Sequence, residues 1–383
     1  MSQLNVDTIK KADGTGNLSV PAETGTVVTT ASPSLGRRNI IINGAMQVAQ
    51  RGTSETGVTT SGYTTVDRFS TTLSNIGTYT ISQSTDAPDG FSNSFKIDCT
   101  TADASPASTD VLIFRHRIEA QDCQHLKFGT SGAQSLTLSF WVKSNKTGNA
   151  NVIFKQPDAN RVIGGQYTIS SANTWEHKTI TVSGDTSGTI NNDNGAGIQL
   201  DFWLDSGSDY TGGTLPTAWE TNNNPDINAG NTINIADNTA NEWLITGVQL
   251  EVGSVATPFE HRSFGEELAL CQRYYWRAGW PSTHNGQPNL GLGYYLNGSR
   301  VDFVMDLPVT MRTTPAIVAN SGTNYWNAYM NGDDLFNSWS GVNAPTNDTF
   351  ILYTTSGVSG SAGNACLVSK KDNAASLAAD AEL

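Results

Sequence analysis

Asp201, Asp205 and Asp209 recur at every fourth position beside Trp203. Paired carboxylates are what glycoside hydrolysis requires, one to protonate the leaving oxygen and one to attack or to activate water. Around them Ile198, Leu200, Phe202 and Leu204 alternate with Gln199, Asp201, Trp203 and Asp205. Such a period of two belongs to a strand, with the acidic row expected on its wetter face, where solvation accounts for the carboxylates without catalysis. Asp205-Ser206-Gly207-Ser208-Asp209 lacks the further acidic ligands and the closing Glu of a calcium loop. His116, His125, His177, His261 and His284 show no metal spacing, and neither GxSxG nor HExxH occurs. Cys99, Cys123, Cys271 and Cys366 stand far apart without a CxxC pair and are predicted to be small buried hydrophobes. Leu290-Gly291-Leu292-Gly293 has neither the third glycine nor the following helix of a dinucleotide loop. No catalytic residue, metal or cofactor is therefore expected.

The aromatic residues offer binding chemistry instead. An indole face accepts the C–H face of a sugar ring while nearby Asn, Asp and Gln pair with its hydroxyls. Leu138, Phe140 and Val142 form one row of a strand, which places Trp141 on the opposite face, as alternation places Trp203. A long segment at 205–241, dense in Asn, Asp, Gly and Thr, carries Tyr210 and Trp219, and its length marks it as a ligand loop or a clamp between subunits. A second group, Tyr325, Trp326, Tyr329 and Trp339, is interleaved with Asn324, Asn327, Asp333 and Asp334, too many polar residues for every ring to be buried. Receptor contact is expected there first. The competing reading for all of these rings is packing under a loop or against another subunit.

The elements that position them read as strands. Among 383 residues only 15% are charged, and Gly, Ser, Thr and Asn supply the polarity, which suits sheets and turns. Short strand-like segments follow at 77–84, 94–100, 111–119, 135–143, 150–155, 174–182, 197–204 and 243–251, predicting an all-β sandwich over 38–262. In the last of them Leu244, Thr246, Val248 and Leu250 alternate with Ile245, Gly247, Gln249 and Glu251. Ser263 and the early carboxylates Glu266 and Glu267 predict a capped connecting helix within 263–280. Strands at 290–295, 300–307, 316–319, 349–354 and 365–368, with the tail from Leu377, give a second, smaller β domain at 281–383. Residues 1–37 are polar and turn-rich and cannot form a core alone; Leu4, Val6, Ile9, Val27 and Val28 are candidates for adding short strands to a partner's sheet edge. A net charge of −13 without a cationic cluster argues against nucleic acid, and no run of eighteen apolar residues predicts a membrane insertion.

Three stretches carry a resemblance. VQLEVGSVATPFEHRSFGEELALCQRYYW within 248–276, the run Arg38-Asn39-Ile40-Ile41-Ile42-Asn43-Gly44-Ala45-Met46 through Gln50-Arg51-Gly52-Thr53 with Tyr63, Asp67, Arg68 and Phe69, and the ending Asp380-Ala381-Glu382-Leu383 resemble tail-fibre and other virion-appendage proteins of tailed bacteriophages, marine and cyanobacterial ones especially. In addition, Phe140-Trp141-Val142-Lys143, Asn173-Thr174-Trp175 and Gly247-Val248-Gln249-Leu250-Glu251 resemble galactose-binding-like carbohydrate-binding modules, which implies a jelly roll for the main domain. The first resemblance implies a homotrimeric virion fibre made in the host cytoplasm. Its 1–37 arm would grip a tail adaptor, nozzle or other virion protein, and its distal domain would meet a host-surface glycan. A purely structural decoration or connector fibre and a polysaccharide depolymerase are the alternatives.

Overall fold

The computed structural model describes residues 9–10, 17–18, 37–279 and 288–383. Residues 1–38 form one unit, in which Ile9–Lys10 pairs antiparallel with Asn17–Leu18; Leu4, Val6, Val27 and Val28 lie outside the described residues. Asn39–Leu383 form a second compact unit, all-β apart from one α-helix and short 3-10 turns among the described residues.

That unit begins with a jelly-roll-like sandwich of two six-stranded antiparallel sheets among the described residues. The first sheet runs Glu220–Thr221, Arg161–Ile169, Gly148–Gln156, Ala196–Ser206, Val111–Glu119, Phe69–Ser74; the second runs Glu176–Val182, Leu136–Ser144, Glu242–Val252, Ser94–Thr101, Thr78–Ser84, Ser54–Val58. Alternate residues of both sheets, Phe114, Phe140, Phe154, Phe202 and Trp243 among them, interdigitate in one core. The even alternation expected along 243–251 does not hold. Trp243 and Ile245 face the core, and then Val248 and Leu250 do, because the register against Leu136–Ser144 shifts between Thr246 and Gln249. Gly247 takes φ +61° at this bulge, and a Cβ there would stand 2.7 Å from the Phe91 ring.

The connecting helix is Phe264–Gln272, capped by Ser263, whose hydroxyl accepts from Glu266 N (3.3 Å). It does not reach 280. Tyr275–Arg277 forms a strand against Leu377–Asp380, since consecutive aromatic residues favour a pleated surface and two arginines clamp their rings. The guanidinium carbon of Arg68 lies 3.4 Å from the Tyr274 ring centroid and that of Arg51 lies 3.6 Å from that of Tyr275. Beyond this small sheet an antiparallel sheet, seven-stranded among the described residues, carries a separate core built on Trp326, Phe303, Phe336, Phe350 and Tyr295.

The three stretches that carry the resemblance meet at one buried polar hub. Asn43 donates from Nδ2 to Val48 O (2.8 Å) and Asp67 O (3.0 Å), and its backbone N–H donates to Glu267 of the helix. Gln50 Nε2 donates to Asp67 Oδ2 and to Tyr275 O, each at 2.6 Å. Arg51 pairs with Asp380 and Glu382, Arg68 pairs with Glu382, and Arg117 and Tyr63 donate to Leu383 O. Asp67 is fully buried, and desolvation outweighs the nearby Arg51 to push its carboxyl up to about 7. The folded chain therefore holds a proton there between about 3.8 and about 7 that the unfolded chain releases. Its contribution to stability is full below that interval and is lost as pH rises through 7. Denaturant titrations from pH 4 to 8 should show Asp67→Asn gaining on the wild type as pH rises; a pH-independent difference between the two would contradict this assignment.

Candidate functional site

The outer face of the first sheet holds a candidate site. Across neighbouring strands the register brings Thr72, Ile113 and Trp203 into one row and Ser70, Arg115, Asp201 and Ile153 into the next, with Lys155 one row on beside Gln199. Val111, Ile113, Ile153, Val162, Trp203 and Ile227 form a satellite apolar cluster on this face, flanked by Tyr210 and Leu215. Between them opens a cleft of about 200 Å³, whose polar lining is Thr72, Arg115, Lys155, Asp201, Tyr210, Asn222 and Asn224.

Its wall comes from segment 205–241, which folds back over the sheet through short 3-10 turns at Ser208–Tyr210, Asn224–Asp226 and Ile235–Asp237. Asn231 Nδ2 donates to Trp203 O (2.9 Å), Asn228 Nδ2 to Ser206 Oγ (2.7 Å), and Ala236 N to Asp205 Oδ2 (2.9 Å). The face expected to be wet is consequently covered: Trp203 is 3% exposed and Gln199 and Asp201 are buried, whereas Asp205 is buried on the other face, because the register shifts after Trp203 and pairs it with Leu112 of the main core. Asp201 accepts two hydrogen bonds from Arg115 (Nε 2.5 Å, Nη2 3.0 Å) and one from Gln199 Nε2 (2.8 Å). Burial pushes the Asp205 carboxyl up to about 6 despite the Ala236 N–H it accepts. Trp203 lies 5.2 Å from Tyr210, ring to ring, at 45°. Its buried Nε1–H has no hydrogen-bond partner among the described residues. A cleft with a half-buried phenol, a guanidinium–carboxylate pair and two amides can stack a ring on Tyr210 and pair its hydroxyls.

The other sequence-predicted residues fall elsewhere. Trp141 is half-buried on the outer face of the second sheet, 5.2 Å from His177. Near it Lys143 Nζ and Trp175 Nε1 both contact Asp86, at 2.6 and 3.0 Å. Trp219 is a pin for segment 205–241: its Nε1 donates to Ser183 O (2.6 Å), and its ring meets Phe128 edge-on at 5.5 Å.

The expected distal group does not converge on solvent. Trp326 is 0% exposed and Trp339 is half-buried against Phe303, Phe336 and Trp326, because this short-stranded sheet draws its core from those rings. Tyr325 packs at the edge of the same core, and Tyr329 alone of the four is exposed, at 49%. Tyr329 instead begins a row across the sheet's outer face, Tyr329–Leu367–Leu292–Val304–Ile351, in which Leu292 is 72% exposed. Arg115, Lys155, Asn222 and Asn224 were not legible as site residues, since only strand register brings positions as far apart as 115 and 201 together. Tyr210, an isolated ring in a polar segment, was the available signal.

No protein-family model matches the chain, and no curated protein matches it. Solved structures similar to it include the enzymatically active domain of tailspike protein 4 of bacteriophage CBA120, at 15% identity and TM-score 0.30 over 56% of this chain and 21% of that one. This chain thus spans about a fifth of the tailspike's length. Another is TmCBM61, a carbohydrate-binding module solved with β-1,4-galactotriose, at 7% identity and TM-score 0.28 over 56% of this chain and 99% of that one. A third is a family 11 carbohydrate-binding module from Clostridium thermocellum, solved with a β-1,3-1,4-mixed-linked tetrasaccharide, at 9% identity and TM-score 0.27 over 54% and 98%.

Proposed function

We propose that the chain is a non-enzymatic virion fibre of a tailed bacteriophage that binds a host-surface glycan on its sandwich domain. The observation that carries the binding reading is the cleft beside Trp203, in which an aromatic pair and a ring of amides and charges sit together on a rigid sheet. At about 200 Å³ it is smaller than the ~300–1,000 Å³ of sites for drug-sized ligands, and suits one or two sugar rings. Residues 1–37 serve as the arm that grips a virion protein. The exposed aliphatic row around Leu292 supports self-association, as a homotrimer in this reading. Weak sites gain avidity when three are tethered together.

Titration of the full chain with host-surface oligosaccharides tests the binding. Tyr210→Ala and Asn224→Ala, both on the covering segment, should each weaken binding about tenfold while the folded signal in near-UV circular dichroism is kept, as loss of one stacking face or one hydrogen-bonding amide implies. Wild-type affinity in both variants would remove the cleft from the reading. A connector fibre without receptor binding is the second reading, favoured by that same aliphatic row; it requires that the intact fibre bind no host glycan and fail to block phage adsorption.

A further inference from the structure

The charges in the cleft run against those of the chain. The protein carries −13 overall, yet the cleft is lined by two cations, Arg115 and Lys155, against one carboxylate, Asp201. Arg115 and Asp201 are bound to each other by two hydrogen bonds and offset one another. Lys155 forms no ion pair among the described residues and so leaves the cleft with one uncompensated positive charge. The second observation is Trp203: it is 3% exposed, it lines the cleft, and its Nε1–H has no acceptor among the described residues. Leaving a buried donor unpaired is costly, and a ligand oxygen that reached it would offset that cost. A free ammonium and a buried orphan donor in one small concavity both call for an acceptor rich in electron density.

We propose that the cleft selects a saccharide bearing an anionic group, a carboxylate or a sulfate ester, with Lys155 facing the charge and Trp203 donating to a ligand oxygen. The proposal rests on the glycan-binding reading above and narrows its ligand class. Acidic surface polysaccharide would be repelled by most of this protein and admitted at one place, so the same charge distribution that limits nonspecific adhesion orients the productive encounter.

The experiment compares the full-length protein binding oligogalacturonate, sulfated oligogalactan and neutral oligogalactan of equal length, by calorimetry at 50 and 500 mM NaCl. At low salt one of the two charged ligands should bind at least tenfold more tightly than the neutral one, and the advantage should shrink at high salt as screening shortens the reach of the ammonium. Whichever charged ligand binds more tightly identifies carboxylate or sulfate as the recognised group. Lys155→Gln should lower the ratio of charged to neutral affinity at least fivefold, and Lys155→Arg should restore most of it. Equal affinities for charged and neutral ligands, or a ratio unmoved by Lys155→Gln, overturn the charge selection while leaving glycan binding intact. Binding of none of the three ligands overturns the charge selection, and failure across a wider panel of neutral and charged surface glycans overturns the glycan reading as well.

Discussion

Glu382→Ala should cost about 3–5 kcal/mol of stability, the loss expected when one partner of a buried ion pair is removed and the other is stranded. Arg68 has no solvent exposure and the Glu382 side chain has 5%. Arg68 also stacks on Tyr274 and donates to Arg117 O (2.7 Å), so its guanidinium cannot swing to water when its carboxylate is lost. Arg51 would lose a partner at the same time. Equilibrium unfolding in urea measures the change. Glu382→Gln, which keeps the oxygen that accepts from Arg68, should recover part of the loss, and Arg68→Met with Glu382→Leu should come closer to the wild type than either single change. A cost below 1 kcal/mol for Glu382→Ala would mean that the hub is solvated.

Gly44→Ala is the second large effect, at about 3 kcal/mol. A Cβ on Gly44 would lie 2.1 Å from the carbonyl oxygen of Val248, an obstacle that belongs to the backbone of a central strand and cannot rotate away. Relief requires separating the segment from that strand, which breaks the hydrogen bond from Val248 N to Gly44 O (2.9 Å) and disturbs the one from Asn39 Nδ2 to Val248 O (3.1 Å). The companion variant Gly265→Ala meets nothing within 4 Å on its helix and should stabilise by about 0.5–1 kcal/mol. The two changes are chemically identical, so opposite shifts in the urea midpoint would isolate the clash. Equal midpoints would refute the close approach.

These residues also show what a linear reading reaches. Strand positions were legible where a short apolar or alternating run stands between turns: Val111–Glu119, Ala316–Ala319 and Thr349–Thr354 fall at their expected bounds. Alternation failed at Gly247, where a bulge moves the core-facing set from Trp243 and Ile245 to Val248 and Leu250. It also misjudged Trp203, because a strand covered on both faces alternates between two buried environments and not between core and water, and Asp205, because a second register shift turns it to the core side. The distal rings misled for a related reason. The polar residues among them sit outside the strands (Asn324), in the edge strand Asp333–Phe336, or, as Asn327, on the strand face away from the core with the amide donating to Asp333, which leaves Trp326 and Trp339 free to fill a core. The cleft itself is a product of register, and register is fixed by pairings that no local pattern encodes.

The division of labour within the sandwich separates the residues that can vary from those that hold the fold. The hub draws on 39–68, 262–277 and 380–383, whereas the outer wall of the cleft is a single stretch, 208–231, tied to the strand Ala196–Ser206 by Asn228 and Asn231. Exchange of this one stretch would alter Tyr210, Asn222 and Asn224 in a single event while the sheet residues Arg115, Lys155, Asp201 and Trp203 and the hub stay in place. The rim of the cleft can then vary without the fold first passing through an unstable intermediate.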